Sequence, residues 1–215
     1  SRGLGDVYKR QNQYLEEFKS EYNRILSKLP ILPFSNIYVA SKLSSRMPQN
    51  SVLHLGILNS LRAWNFFEIP QSVLSYSNVG GFGIDGIMST VIGASLSDNK
   101  KLYYAVIGDL AFFYDLNSLG NHHIGNNIRI LLINNGRGME FRNYNHAAAV
   151  FGDSTDKYIA AAGHFGNKSY QLVKHYAEDL GYEYMSARNK EEFDSIYEHF
   201  IDPQIGAVSY THLTL

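Results

Sequence analysis

Leu102-Tyr-Tyr-Ala-Val-Ile-Gly-Asp-Leu110 and Ile128-Arg-Ile-Leu-Leu-Ile-Asn-Asn135 decide how this chain folds. Each is a short, mostly apolar run that stops at a polar, turn-forming group, the pattern of a strand buried on both faces of a parallel sheet. Asp109 and Asn135 stand 26 positions apart, enough chain for one helix and one strand. Both therefore fall just past the carboxyl ends of strands, where open α/β sheets take their ligands. Working outward, residues 51–55, 72–76 and 182–185 read as further strands, and 205–208 as the start of a last one. Helices are expected from a Ser35 cap to about Arg46, from about Ser60, and after Gly108. Another opens at Gly80-Gly81-Phe82-Gly83, with Ile84, Ile87, Met88, Val91 and Ile92 at helical spacing. Two more follow the irregular stretch 136–155, the second near 169–180. Asn189 with Glu192 three residues on is a capping signature for a helix to Phe200. Strands alternating with helices predict an α/β fold: a mainly parallel sheet with helices on both faces, a Rossmann-like three-layer sandwich.

The two strand ends also suggest chemistry. A hard cation such as Mg²⁺ takes oxygen ligands in near-octahedral array and keeps phosphate oxygens among them. The Asp109 carboxylate and the Asn135 amide carbonyl can supply two positions and a loop carbonyl a third, so the pair reads as a magnesium-diphosphate clasp. Asp109 is also a natural helix N-cap. The roles are compatible, because a helix N-terminus favours diphosphate through its free N–H groups and dipole.

Here the chain resembles the thiamine-diphosphate (ThDP) enzymes, which carry Gly-Asp-Gly and, after roughly 25 to 30 residues, Asn-Asn. Gly108-Asp109-Leu110-Ala111-Phe-Phe-Tyr114-Asp115-Leu116-Asn117 is similar to the Gly-Asp-Leu-Ser form of the branch that makes the menaquinone precursor SEPHCHC (the MenD family). Leu58-Asn59-Ser60-Leu61 resembles that branch's Asn-Ser-Leu segment. Tyr76-Ser77-Asn78-Val79-Gly80-Gly81-Phe82-Gly83-Ile84-Asp85-Gly86 resembles its Ser-Asn-Arg-Gly-x-x-Gly-Ile-Asp-Gly. Order and spacing agree from about Phe34 to Ile205.

The resemblance implies a diphosphate-binding domain with ThDP and Mg²⁺ as cofactors. It makes Asp109, Asn135 and the Arg137 backbone carbonyl the metal ligands. Gly108, Leu110 and Ala111 would meet the diphosphate, the last without the hydroxyl that the family has there. Asn59 and Ser60 would reach it from a second loop, a stretch that as bare sequence is a turn and helix cap. Gly83 and Ile84 would hold the cofactor bent, although helix core explains Ile84 equally well. Glu140 and Phe141 match positions facing the reacting carbons; Glu140 could move a proton, or be an exposed first-turn glutamate. The family's substrate-binding arginines are replaced by Val79 and Trp64, which argues for an altered substrate. Arg62 or Arg137 could compensate for them, although Arg62 reads first as a solvated surface residue. His146 is the histidine best placed to join the site; His164 reads as structural or solvent-facing, and His122-His123 as a helix-end surface pair.

The implied function is a 2-oxo-acid decarboxylase or carboligase, a transferase or lyase acting on a 2-oxo acid donor and a carbonyl acceptor. An authentic SEPHCHC synthase and a non-catalytic Rossmann-like binding module are the alternatives. The activating glutamate would come from a separate pyrimidine-binding domain, so this stretch alone is expected to be inert, and the full-length enzyme to be a homodimer or homotetramer.

Composition bounds the rest. With 215 residues, 45% of them hydrophobic, the chain can bury one sizeable core. A net charge of −1 with scattered Lys and Arg gives no nucleic-acid surface. The absence of cysteine removes disulfides, thiolate metal sites and cysteine nucleophiles. No apolar stretch nears the roughly 20 residues of a membrane span, so a soluble cytoplasmic protein is the expectation. Residues 1–11 and 208–215 read as adapter-derived and non-native. Residues 12–33, with Tyr14, Phe18, Tyr22, Leu26 and Leu29 as a helical stripe ending before Pro30, read as a helix and linker from a preceding domain. Residues 34–207 read as the diphosphate-binding domain.

Overall fold

A computed structural model describes residues 4–158, 171–204 and 209–214. The chain forms two compact units, Ser1–Pro33 and Phe34–Leu215. In the first, helix α1 (Leu4–Leu26) carries the expected stripe, and the rings of Tyr14 and Phe18, one turn apart, stack at 6.5 Å.

In the second unit, β1 (Val52–Leu55), β2 (Leu74–Ser77), β3 (Tyr103–Gly108), β4 (Ile128–Asn134), β5 (Glu183–Ala187) and β6 (Ser209–Thr214) form one sheet in the order β2-β1-β3-β4-β6-β5. Every neighbouring pair is parallel. The two deciding strands, β3 and β4, are buried along nearly their whole length, as their apolar sequences require.

Alternation along those strands feeds two core layers. Tyr103, Ala105 and Ile107 of β3, with Ile128, Ile130 and Leu132 of β4, share one cluster with α4 (Ile87–Ser97), α5 (Asp109–Tyr114) and α6 (Leu172–Asp179). Those helices contribute Met88, Val91, Phe112, Val173 and Ala177. The intervening residues serve the other layer. Tyr104 meets Phe200 of α7 (Lys190–Ile201) edge-on at 5.6 Å, and Phe193 of α7 meets Tyr38 of α2 (Asn36–Leu43) at 6.1 Å. Helix α3 (Asn59–Trp64) packs beside α2.

Both expected caps form. Ser35 Oγ accepts the Tyr38 N–H at 3.3 Å and Asn189 Oδ1 accepts the Glu192 N–H at 2.8 Å. Glu192 answers by accepting the Arg188 N–H at 2.7 Å, one residue ahead of the cap.

One expectation is corrected. Helix α4 begins at Ile87 rather than at the glycine run, because Gly86 takes a left-handed conformation (φ 71°) that interrupts it. Ile84 is thereby left in a loop. The last described strand is β6, Ser209–Thr214, which follows directly on the residues read as its start and fills the position between β4 and β5. Residues 205–208 and 159–170, including His164, lie outside the described residues.

The strand order creates the site. From β1 the chain moves outward to β2, then returns to place β3 on the other side of β1. The loops leaving β1 and β3 therefore diverge and leave a crevice at their carboxyl ends.

Since β6 supplies both β4 and β5 with a partner, a chain ending at residue 208 is expected to lose its cooperative thermal transition. An unchanged melting midpoint would mean that the tail lies outside the fold. Asn189→Ala is expected to cost about 1 kcal/mol in urea denaturation, the usual worth of a helix cap.

Candidate active site

A cavity of about 550 Å³ occupies that crevice. Three loops build it: 56–60 after β1, 108–111 after β3 and 135–141 after β4, with Phe82 to Asp85 closing one side. Gly56 is required by close approach. A Cβ there would sit 3.1 Å from the Val106 carbonyl, which already accepts the Gly56 N–H at 2.8 Å. Leu58 (φ 74°) and Phe82 (φ 51°), both lining the cavity, hold conformations that non-glycine residues seldom adopt, and such strain concentrates at functional sites.

Asp109 begins α5 and is 2% exposed. Its Oδ1 accepts the Leu110 N–H at 2.7 Å, and its Oδ2 accepts the Gly136 N–H at 2.6 Å. The second bond ties the end of β3 to the loop beyond β4. Gly136 itself is left-handed (φ 71°), so the residue after Asn135 is one that can turn its N–H toward Asp109. Burial pushes the Asp109 carboxyl up to about 6, against the backbone N–H groups that hold it down. Asn135 lines the same cavity, its Oδ1 accepting the Arg137 N–H at 3.1 Å. Among the described residues no group of three His, Cys, Asp or Glu stands together as a metal site. A cation here would have to draw on amide and backbone oxygens.

Gly83, Ile84, Gly108, Leu110, Ala111, Asn59, Ser60, Arg137, Glu140 and Phe141 all line the cavity too. Ile84 lies in a loop rather than in the expected helix; it packs against the core and also lines the cavity. The Leu110 N–H, expected to face diphosphate, is turned onto Asp109 instead.

Three expected site residues are not brought in. Trp64 is 2% exposed and lines no part of the cavity, because one turn beyond Ser60 on α3 the helix faces the core. Val79 lies half-exposed outside the cavity wall. His146 caps the turn Ala147–Thr155, its Nδ1 accepting the Ala148 N–H at 3.0 Å, and meets the site only through the Phe141 ring at 5.1 Å.

Arg62 is likewise not a merely solvated arginine. Its guanidinium grips Glu140 through both oxygens, Nη1 to Oε2 and Nη2 to Oε1 at 3.2 Å, and Asn143 Nδ2 donates to Oε2 at 3.0 Å. Glu140 thus holds the guanidinium in its charged form more firmly. Arg137 faces Asp153 and Asp156 at 3.9 and 3.7 Å, and Arg142 donates to Asp153 at 2.8 Å, so charge joins the two short 3-10 helices of the 136–155 stretch, Met139–Arg142 and Ala147–Thr155.

Sequence reading missed Gly56, Leu58, Tyr114 and Met139 as lining residues. Gly56 had a legible signal, since it follows the run 52–55 just as Gly108 follows β3.

No protein-family model matches the chain. It is 31% identical over 191 residues, 88% of its length, to the 2-succinyl-5-enolpyruvyl-6-hydroxy-3-cyclohexene-1-carboxylate (SEPHCHC) synthase of Bacteroides fragilis. It is 35% identical over 176 residues to the synthase of the same name from Phocaeicola vulgatus, and 40% over 111 residues, 52% of this chain, to that of Christiangramia forsetii. The chain spans about a third of the length of the first two, 33% and 30%. Through 88% of its length the chain is thus a homologue of the SEPHCHC synthases, the family its motifs resemble.

Proposed function

We propose that the chain is the diphosphate-binding half of a ThDP- and Mg²⁺-dependent 2-oxo-acid decarboxylase or carboligase. The observation that carries this reading is the bond from Gly136 N–H to Asp109, which brings the β3 carboxylate to the loop that bears Asn135 and Arg137. The residues fit the group. A carboxylate buried to 2% exposure with only backbone donors around it is an expensive arrangement without a cation, and a magnesium ion would offset the desolvation. Asp109, Asn135 and the Arg137 carbonyl would hold the metal, while Asn59, Ser60 and the start of α5 would meet the diphosphate. Drawn toward a cation, the Asp109 carboxylate would release the Leu110 N–H for a phosphate oxygen. Ile84 would support the bent cofactor from below. Bound ThDP supplies a carbon nucleophile and an electron sink for 2-oxo-acid chemistry. The pyrimidine-binding domain, with its activating carboxylate, would be a partner in a homodimer or homotetramer.

An authentic SEPHCHC synthase is the second reading, favoured by the names of the relatives. Trp64 and Val79, which replace the arginines that the resemblance leads one to expect, weigh against it, since neither side chain offers a cation to a substrate carboxylate.

Mn²⁺ with inorganic diphosphate, followed by electron paramagnetic resonance, tests the half-site directly. Metal binding is expected to depend on diphosphate and to fall at least tenfold in Asp109→Ala and in Asn135→Ala. Binding unchanged by both substitutions, or none at all, would refute the clasp.

The same carboxylate sets a pH dependence. The folded-state pKa, about 6, lies above the unfolded value of 3.8, so its contribution to stability is present below pH 4 and lost as pH rises through about 6. At pH 7 the buried charge costs the metal-free protein about 3 kcal/mol, at roughly 1.4 kcal/mol per pH unit. The melting temperature without metal is expected to fall from about pH 4 to about pH 6 and to level off above it. Asp109→Asn is expected to abolish that fall. Metal affinity, which needs the ionised carboxylate, is expected to drop about tenfold from pH 7 to pH 5.

A further inference from the structure

A second cavity, of about 610 Å³, adjoins the first and shares Asn36, Asn59, Asn135, Arg137 and Met139 with it. Neither Asp109 nor any residue of α5 lines it, so the helix end proposed for diphosphate serves the first cavity alone. Part of its wall is apolar, from Phe34, Ile37, Ala63 and Phe66. Among the described residues no carboxylate lines it, whereas Arg62 and Arg137 both do.

The two arginines differ in what they can offer a ligand. Arg62 is paired with Glu140, which lines the first cavity and not the second, so its charge is already answered. What Arg62 has left is further N–H groups in a fixed position, since a guanidinium carries five and Glu140 engages only part of them.

Arg137 is held differently. It stands 3.9 and 3.7 Å from Asp153 and Asp156, beyond hydrogen-bond length. Arg142 donates to Asp153 at 2.8 Å and to Asp156 as well, so both aspartates already have a closer partner. The Arg137 side chain is 46% exposed and that of Asp153 88%, and solvent screens a pair of that kind. Arg137 is therefore a long cationic side chain at the wall of both cavities, and no described residue fixes its fork by a hydrogen bond.

A carboxylate on a carbon chain fits this combination. It can take two parallel N–H groups from one guanidinium, and it needs a cation not yet spent on a closer partner. The apolar wall beside that cation suits the carbon chain.

We infer that the second cavity is the donor subsite of the proposed reaction: Arg137 binds the carboxylate of a 2-oxo acid at the boundary between the cavities, and Phe34, Ala63, Phe66 and Met139 take its carbon chain. This rests on the ThDP reading of the first cavity. The 2-oxo carbon, bonded both to the carboxylate and to the chain, is then held at the edge of the crevice assigned to the cofactor. Asp153, which pairs weakly with Arg137, competes with the ligand for it.

The test uses the protein carrying both its diphosphate- and pyrimidine-binding domains, with Mg²⁺ and inorganic diphosphate in place of ThDP, so that a bound 2-oxo acid meets no carbon nucleophile. The probes are 4-methyl-2-oxopentanoate and its uncharged methyl ester, titrated by saturation-transfer NMR. The acid is expected to bind roughly tenfold more tightly than the ester. Arg137→Gln is expected to bring the two within about threefold, and Arg137→Lys to restore part of the difference. Asp153→Asn is expected to tighten the acid about threefold and leave the ester unmoved. Phe66→Ser is expected to weaken both probes alike. Binding of neither probe, or an advantage of the acid that Arg137→Gln does not reduce, overturns this inference; the ThDP reading survives that result if Mn²⁺ still binds with diphosphate in the same preparation. Loss of diphosphate-dependent metal binding overturns the ThDP reading and this inference with it.

Discussion

One buried carboxylate joins two strand ends, and the site is organised around it. Asp109 takes the N–H of its own neighbour and that of Gly136, so the turn after β3 and the loop after β4 are held by the same two oxygens. Burial makes the charge costly, and the backbone donors recover only part of that cost. A position with this balance is poorly suited to a purely structural role, in which a neutral cap would be cheaper. In the proposed reading a bound cation would offset that cost, and the stability it restores would appear as affinity.

Around that centre the cavity has a polarity. One part is set by Asp109 and Asn135, whose side-chain oxygens hold the backbone N–H groups of Gly136 and Arg137. The other is set by Glu140 in the grip of Arg62 and Asn143. Leu58 and Ile84 add apolar wall and also pack on the core. Rigidity at both ends has different origins. The clasp inherits it from the sheet, whereas the Glu140 loop draws it from ion pairs to Arg62 and, further along, from Arg137 and Arg142 to Asp153 and Asp156. Half-exposed pairs of that kind are individually weak, so the loop depends on having several.

Much of the sheet could be read from pattern because the relevant forces are local in sequence. Apolar runs of strand length ending at Gly108 or Asn134 identify themselves, and Ser35 and Asn189 cap helices with their own side chains. The start of α4 was misjudged because Ile84 fits a helical period, and periodicity cannot register that Gly86 turns left-handed and breaks the helix before Ile87. The place of β6 in the strand order is not legible for another reason. A strand is stabilised by the edges it fills, and the vacancy between β4 and β5 belongs to the sheet rather than to residues 209–214 themselves.

By itself the sequence determined the layered α/β class, the strand ends that line the cavity and the residue types gathered there. Those are consequences of hydrophobic period and of short polar groups at turns, which act over a few residues. Tertiary structure alone decided which side chains reach the cavity. Trp64 and Arg62 are two residues apart on one helix, yet one is buried in the core and the other grips a carboxylate 78 positions away. Helical rotation separates their directions, and only the packing of α3 against its neighbours settles which direction is inward.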